Sequence, residues 1–168
     1  MPAPNPAADS SSAFSALDAC HRQMHQHLDR LITLAQRLRL EDANDELRAE
    51  AGAIEAFFSG TSRQHHAEEE LRVFPPLLAS GDAALVTAVR TLQQDHGWIE
   101  ENWLELGPQL ASLSEGGHWV DAAEFLHGVE VFQELLAQHI ALEESLIYPE
   151  AKDRWERALQ RRNARATN

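Results

Sequence analysis

Two segments of this chain carry the same chemistry in the same frame: His65-His-Ala-Glu-Glu69-Glu70-Leu-Arg-Val-Phe-Pro75 and His139-Ile-Ala-Leu-Glu143-Glu144-Ser-Leu-Ile-Tyr-Pro149. Each sets a histidine four residues before a Glu-Glu pair, continues with apolar residues and closes on a proline. Residues four apart share a helix face, so each segment presents an imidazole and a carboxylate side by side. The repeat reaches further back. His21 begins a His-x-x-x-His step to His25, His96 begins a His-x-x-x-Glu step to Glu100, and these histidines precede His65 and His139 by 44 and 43 residues. Two halves with matched spacing read as a duplicated helical hairpin.

Apolar periodicity supplies the rest of the fold. Phe14, Leu17, His21, Met24, Leu28, Leu31, Ala35 and Leu38 alternate by threes and fours, as do Leu85, Val89, Leu92, His96, Ile99, Trp103, Leu106, Leu110 and Leu113. Between them, Leu47, Ile54, Phe57 and Phe58 lead into His65 on a second helix expected to end near Pro75-Pro76. Phe125, Val129, Phe132, Leu136, His139, Glu143 and Leu146 define a fourth, expected to end around Pro149. Polar turns at Asp42 to Asp45, Ser80-Gly81-Asp82 and Gly116-Gly117 separate the helices. Short connections make neighbours antiparallel, which predicts an all-α, up-down-up-down four-helix bundle. Residues 1–11 are expected to be a flexible tail, 12–150 the metal-binding bundle, and 151–168 a basic extension with a short terminal helix.

At 168 residues the chain suits one core. Its formal charge of −13, from 14 basic and 27 acidic residues, disfavours nucleic acid and anionic membrane surfaces as partners. One cysteine, Cys20, excludes an intrachain disulfide and fits a reducing compartment. Neither a long apolar run nor a signal-like start is present, so the expected location is the cytoplasm. Dimerisation is left open.

His21, His96, His139 and Glu143 fall within the same stripes as the leucines and phenylalanines, and so face the core. Uncompensated burial of so many ionisable groups would exceed a domain's net stability of roughly 5–15 kcal/mol, and a pair of bound cations removes that penalty. The expected metal ligands are His21, His25, His65, Glu69, His96, Glu100, His139 and Glu143. Aligning Pro75 with Pro149 favours the frame His65 with Glu69 over His66 with Glu70, which leaves His66 flanking. Glu68, Glu70 and Glu144 are expected as solvated or outer-shell charges, His27, His118 and His127 as surface or core-edge histidines, and Trp98, Trp103 and Tyr148 as packing.

These residues resemble the hemerythrin-like, or HHE cation-binding, family over roughly residues 12 to 150: a histidine on the first helix, His-x-x-x-Glu then Phe-Pro on the second, a histidine on the third, and His-x-x-x-Glu then Tyr-Pro on the fourth. Myohemerythrin, a member, is itself a standard example of the up-down bundle. The resemblance implies a non-haem di-iron centre, oxo- or hydroxo-bridged, that binds oxygen, nitric oxide or related molecules. The oxygen-carrying members hold their metals with five histidines and two bridging carboxylates, with the His-x-x-x-His step on the third helix. Here that step is on the first helix, and the third offers Glu100 instead. Of about twelve positions on two ions, the family's ligands and bridge leave one for oxygen, and Glu100 would close it. Carboxylate donors also admit manganese.

The sequence therefore points to a dinuclear protein whose partner is a small diatomic or peroxide ligand, which it binds, senses or detoxifies. An oxidase, a peroxidase or an iron donor for cluster repair is the alternative, followed by a reversible oxygen carrier.

Overall fold

The computed structural model describes residues 6–117 and 121–166, and the reading of His118 therefore lies outside the described residues. Four long helical runs form the fold: α1 (Pro6–Leu38), α2 (residues 45–78), α3 (Ala83–Ser114) and α4 (residues 122–166). Each of the last three starts on a side-chain cap. Asn44 accepts from the Leu47 amide, Asp82 from Ala84 and Leu85, and Asp121 from Ala123 and Glu124. Gly81 and Gly116, at φ of 76° and 84°, make the left-handed turns after α2 and α3. α1 packs on α2, α2 on α3, α3 on α4 and α4 on α1, closing the ring of an up-down-up-down bundle.

Three expected boundaries move outward. Of the expected tail, residues 1–5 lie outside the described residues, while residues 6–11 form the first turns of α1, where Pro6 suits a helix start. Neither Pro75 nor Pro149 ends its helix. A π-turn precedes each proline, at Glu69–Val73 and Glu143–Ile147, and the amides of Phe74 and Tyr148 donate five residues back, to Glu69 and Glu143. The widened turn accommodates a ring that would clash with the carbonyl four residues earlier in a regular α-helix. α2 therefore runs to Leu78, and the basic extension continues α4 to Ala166. Lys152 fastens this extension to Asp18 of α1 at 3.1 Å.

The apolar interior is divided in two. Met24, Leu31, Ile54, Phe58, Trp103, Leu106, Phe132 and Leu136 belong to the larger cluster, and Val73, Phe74, Leu77, Leu85, Val89, Leu92, Ile147 and Tyr148 form the smaller one. Between them lie the buried polar side chains His21, His65, Glu69, His139 and Glu143. No helix among the described residues is long and apolar enough to cross a membrane.

A candidate dinuclear metal centre

The two π-turns begin at Glu69 and Glu143, and both carboxylates are fully buried in the polar layer. Each has one oxygen on either side of the layer. Glu69 Oε1 lies 3.2 Å from His65 Nε2 while its Oε2 lies 3.4 Å from His96 Nε2. Glu143 Oε2 lies 3.1 Å from His21 Nε2 while its Oε1 lies 3.0 Å from His139 Nε2. The result is two groups whose ligand atoms lie within 4.8 Å of one another: His21, His65, Glu69 and Glu143 in one, and His66, Glu69, His96 and His139 in the other. Glu69 belongs to both, and the second oxygen of Glu143 makes the same bridge.

These atoms face common points rather than each other. His66 Nε2, His96 Nε2, His139 Nε2, Glu69 Oε2 and both Glu143 oxygens are buried without a hydrogen-bond partner, although all but His66 stand at ion-pair distance from a neighbour. Donors about 3 Å apart that do not align for hydrogen bonding have the spacing of adjacent ligands around an ion with bonds of about 2.1 Å. Unsatisfied groups of this kind would each cost roughly 1–3 kcal/mol, and more when charged, and the donor set fits a pair of cations.

The outer nitrogens are held as metal-binding imidazoles usually are. His96 Nδ1 pairs with Glu70 Oε1 at 2.9 Å and His21 Nδ1 with Glu144 Oε1 at 3.1 Å. His139 Nδ1 faces Asp95 at 3.6 Å. Because a carboxylate only accepts, His21 and His96 donate from Nδ1 and turn a bare Nε2 inward. The second glutamate of each Glu-Glu pair thus faces the histidine of the next helix round the bundle, Glu70 of α2 that of α3 and Glu144 of α4 that of α1, while the first glutamate spans the two groups.

Electrostatics follow from this crowding. Burial raises the Glu143 carboxyl to about 7, with the charge on Glu69 adding to it. Burial opposes ionisation of Glu69 too, but contacts from His65, His96 and Tyr148 outweigh it and hold that carboxyl well below the usual range. Burial would lower His65, yet the neighbouring Cys20 and Glu69 raise it to about 10. His139 falls to about 4 through burial beside His96, and His66 is lowered for the same reasons. Burial and the two carboxylates push the Tyr148 phenol up. Burial would lower His96 too, but Glu69 and Glu70 outweigh it and raise that imidazole, so protons are favoured on the centre where two cations would otherwise supply the positive charge.

Of the eight expected ligands the structure brings six together: His21, His65, Glu69, His96, His139 and Glu143. It does not bring in His25 or Glu100. Met24, fully buried, takes the inward place on α1 and leaves His25 exposed. Ile99 and Trp103 take the inward places on α3, while Glu100 turns outward to Arg63 of α2 through two hydrogen bonds of 2.9 and 2.5 Å. His66, expected to flank, belongs to the second group. Adjacent helix residues point about 100° apart, so α2, lying between the groups, sends His65 to one and His66 to the other. Of the frame set aside, His66 is used as well, while Glu70 stays outside both groups and pairs with His96 Nδ1.

Sequence reasoning also missed Tyr148, whose hydroxyl lies 3.1 Å from His21 Nε2 and 3.3 Å from His65 Nε2 and donates to Glu69 Oε1. The signal was present: the aligned repeats differ at this position, Phe74 in one and Tyr148 in the other.

Residues 12–151 match the hemerythrin HHE cation binding domain. An uncharacterized protein of Haemophilus influenzae is 30% identical over 131 residues, covering 77% of this chain and 73% of that protein. No solved structure matches.

Proposed function

We propose, for a chain that belongs to the hemerythrin HHE cation-binding domain family, that the two groups hold a pair of iron ions, with manganese as competitor, and that the protein binds, senses or detoxifies a small oxidant such as oxygen, peroxide or nitric oxide. The observation that carries this reading is the double span of Glu69 and Glu143, each with one oxygen in either group. Two carboxylates shared in this way would hold two ions close enough to act on one diatomic molecule. A redox-active pair of ions would supply the electrons that such a ligand takes up. Around it, the chain's own residues exclude water with two apolar clusters, fix imidazole orientation through Glu70 and Glu144, and keep the bridging carboxylates in place through the π-turns. The buried free thiol of Cys20 suits a reducing cytoplasm.

The test is metal analysis of aerobically purified protein with an optical and Mössbauer spectrum. Two iron ions per chain with a coupled diferric signature support the reading, and a protein that takes up neither iron nor manganese overturns it.

One observation favours a second reading, an oxidase or peroxidase with an organic reductant. A cavity of about 700 Å³ between α1, α2 and the extension of α4 is lined by Phe14, Leu17, Val73 and Leu77 and reaches Cys20 and His65. That volume lies in the usual range for small-molecule sites. Turnover of peroxide with an apolar phenol or thiol, suppressed by bulk introduced at Leu17, would support the enzyme over the binding protein.

A further inference from the structure

The two halves of the site are related by the internal duplication, and the comparison is close. His65 and Glu69 meet at 3.2 Å, His139 and Glu143 at 3.0 Å. The His21 and His65 rings lie 4.8 Å apart at 57°, and the His96 and His139 rings 4.7 Å apart at 56°. Tyr148 stacks on His21 at 9° between planes, and Phe74, its counterpart, stacks on His96 at 18°. Symmetry therefore supplies each group with two imidazoles and one oxygen from each shared carboxylate.

Each half then adds one group that the other lacks. On the His96 side it is His66, whose counterpart in the repeat is Ile140. His66 Nε2 is buried, unpartnered and within the ligand cluster. On the His21 side it is the hydroxyl of Tyr148, whose counterpart is a phenylalanine. Tyr148 is 1% exposed, and its oxygen is within hydrogen-bonding distance of three of the donor atoms of its group. An oxygen about 3 Å from several donors that face one point has the position of a further ligand around that point.

We propose that Tyr148 is the fifth protein ligand of the ion in the His21/His65 group, bound as phenolate, and that it is the counterpart of His66 in the other group. The assignment rests on the dinuclear reading above. On binding, the phenol proton would be released to solvent and the oxygen lone pair would take its place on the ion, because a nearby cation reverses the electrostatics that otherwise keep a buried phenol neutral. Both ions then have five protein donors, but of different character: three imidazoles with two carboxylate oxygens on one side, two imidazoles with three anionic oxygens on the other. The harder, more anionic side favours the ferric state. Tyr148 becomes the displaceable ligand at which a small anion or oxidant enters.

Composition makes the test specific, because Tyr148 is the only tyrosine in the chain. Protein produced with ring-deuterated tyrosine is loaded with ferrous iron, oxidised in air, analysed for iron and examined by resonance Raman spectroscopy in its visible absorption. The expected result is two irons per chain with enhanced tyrosinate ring modes that shift on deuteration. Tyr148→Phe should lose the visible phenolate-to-iron band and bind azide more tightly, while its other ligands still retain iron. Two bound irons with no label-sensitive mode would overturn the Tyr148 assignment and leave the dinuclear reading standing, whereas a chain that binds neither iron nor manganese would overturn both. Should Tyr148→Phe fail to hold iron, the label shift in the parent protein decides alone.

Discussion

His21 Nδ1 and Glu144 Oε1 meet at 3.1 Å across 123 residues of chain, and the contact is the image in one half of the His96–Glu70 pair at 2.9 Å in the other. The glutamates are partly exposed while the imidazoles are nearly or fully buried, so each pair reaches from solvent to the centre. Its role is orientation: without the carboxylate the ring can present either nitrogen. Glu144→Ala and Glu70→Ala should each weaken metal affinity roughly 10- to 100-fold with the helical fold retained. Chelator competition monitored by metal content measures this, and unchanged affinity in both variants would remove the orienting role.

The asymmetric use of histidines gives a second expectation. His66→Ala should lower occupancy of one of the two ions, because His66 Nε2 has no role other than the cluster. His25→Ala should leave two ions in place, since His25 is exposed and apart from the cluster. Glu100→Ala breaks only the exposed Arg63 pair, which is worth about 0–1 kcal/mol at such a surface. Elemental analysis of the three variants checks the order, and loss of metal in His25→Ala would restore the ligand set expected from spacing alone.

Metal removal should lower thermal stability, because the ligands exist as a preformed site only in the folded chain. At a free ion concentration about 1,000 times the dissociation constant each ion adds roughly 4 kcal/mol, which for a domain of this size corresponds to about 8–16 °C in melting temperature. Calorimetry with and without chelator measures the difference, and equal melting temperatures would contradict the site.

Proton linkage gives the metal-free protein a slope of its own. His65 is raised to about 10 in the fold from an ordinary value of 6.5, so its contribution is fully present below about 6.5 and is lost as pH rises through about 10. Metal-free protein should therefore lose on the order of a few kcal/mol between pH 7 and 10. The loaded protein should show the reverse at acid pH, releasing metal as histidines gain protons below about pH 6. Melting curves of both forms across this range test the pair of slopes. A metal-free melting temperature that rises from pH 7 to 10 would count against the His65 environment.

The bundle and most of its centre were legible because both obey one rule: a buried position recurs every three or four residues, whether it holds Leu31 or His21. That rule placed six of the side chains that the structure gathers into the two groups. It failed where the helix departs from 3.6 residues per turn or where a neighbour competes for the same inward place. The π-turns at Glu69 and Glu143 let the helices pass through Pro75 and Pro149, which a regular α-helix would not. Met24 and Ile99 displaced His25 and Glu100 from the core, a competition that spacing from His21 and His96 does not show. His66 was set aside because aligning Pro75 with Pro149 selects the His65 frame, whereas a helix lying between two ligand groups has two directions to serve. Tyr148 was read as packing because its ring does pack, on His21, and only the hydroxyl is chemical.

The Phe74 and Tyr148 positions yield the last prediction. Phe74 is fully buried and stacks on His96, where His66 also stacks at 4.3 Å. By the duplication, a hydroxyl on Phe74 would point at the place His66 Nε2 already serves. Phe74→Tyr alone should therefore destabilise the protein by about 1–3 kcal/mol, through crowding and a buried hydroxyl without its own partner. His66→Ala opens that place, so the double variant Phe74→Tyr with His66→Ala should cost less than the sum of the two single changes. Denaturant unfolding of the four proteins gives the coupling, expected at about 0.5–3 kcal/mol for residues sharing one site. Strict additivity would show that the phenol of one half and the imidazole of the other do not fill equivalent places.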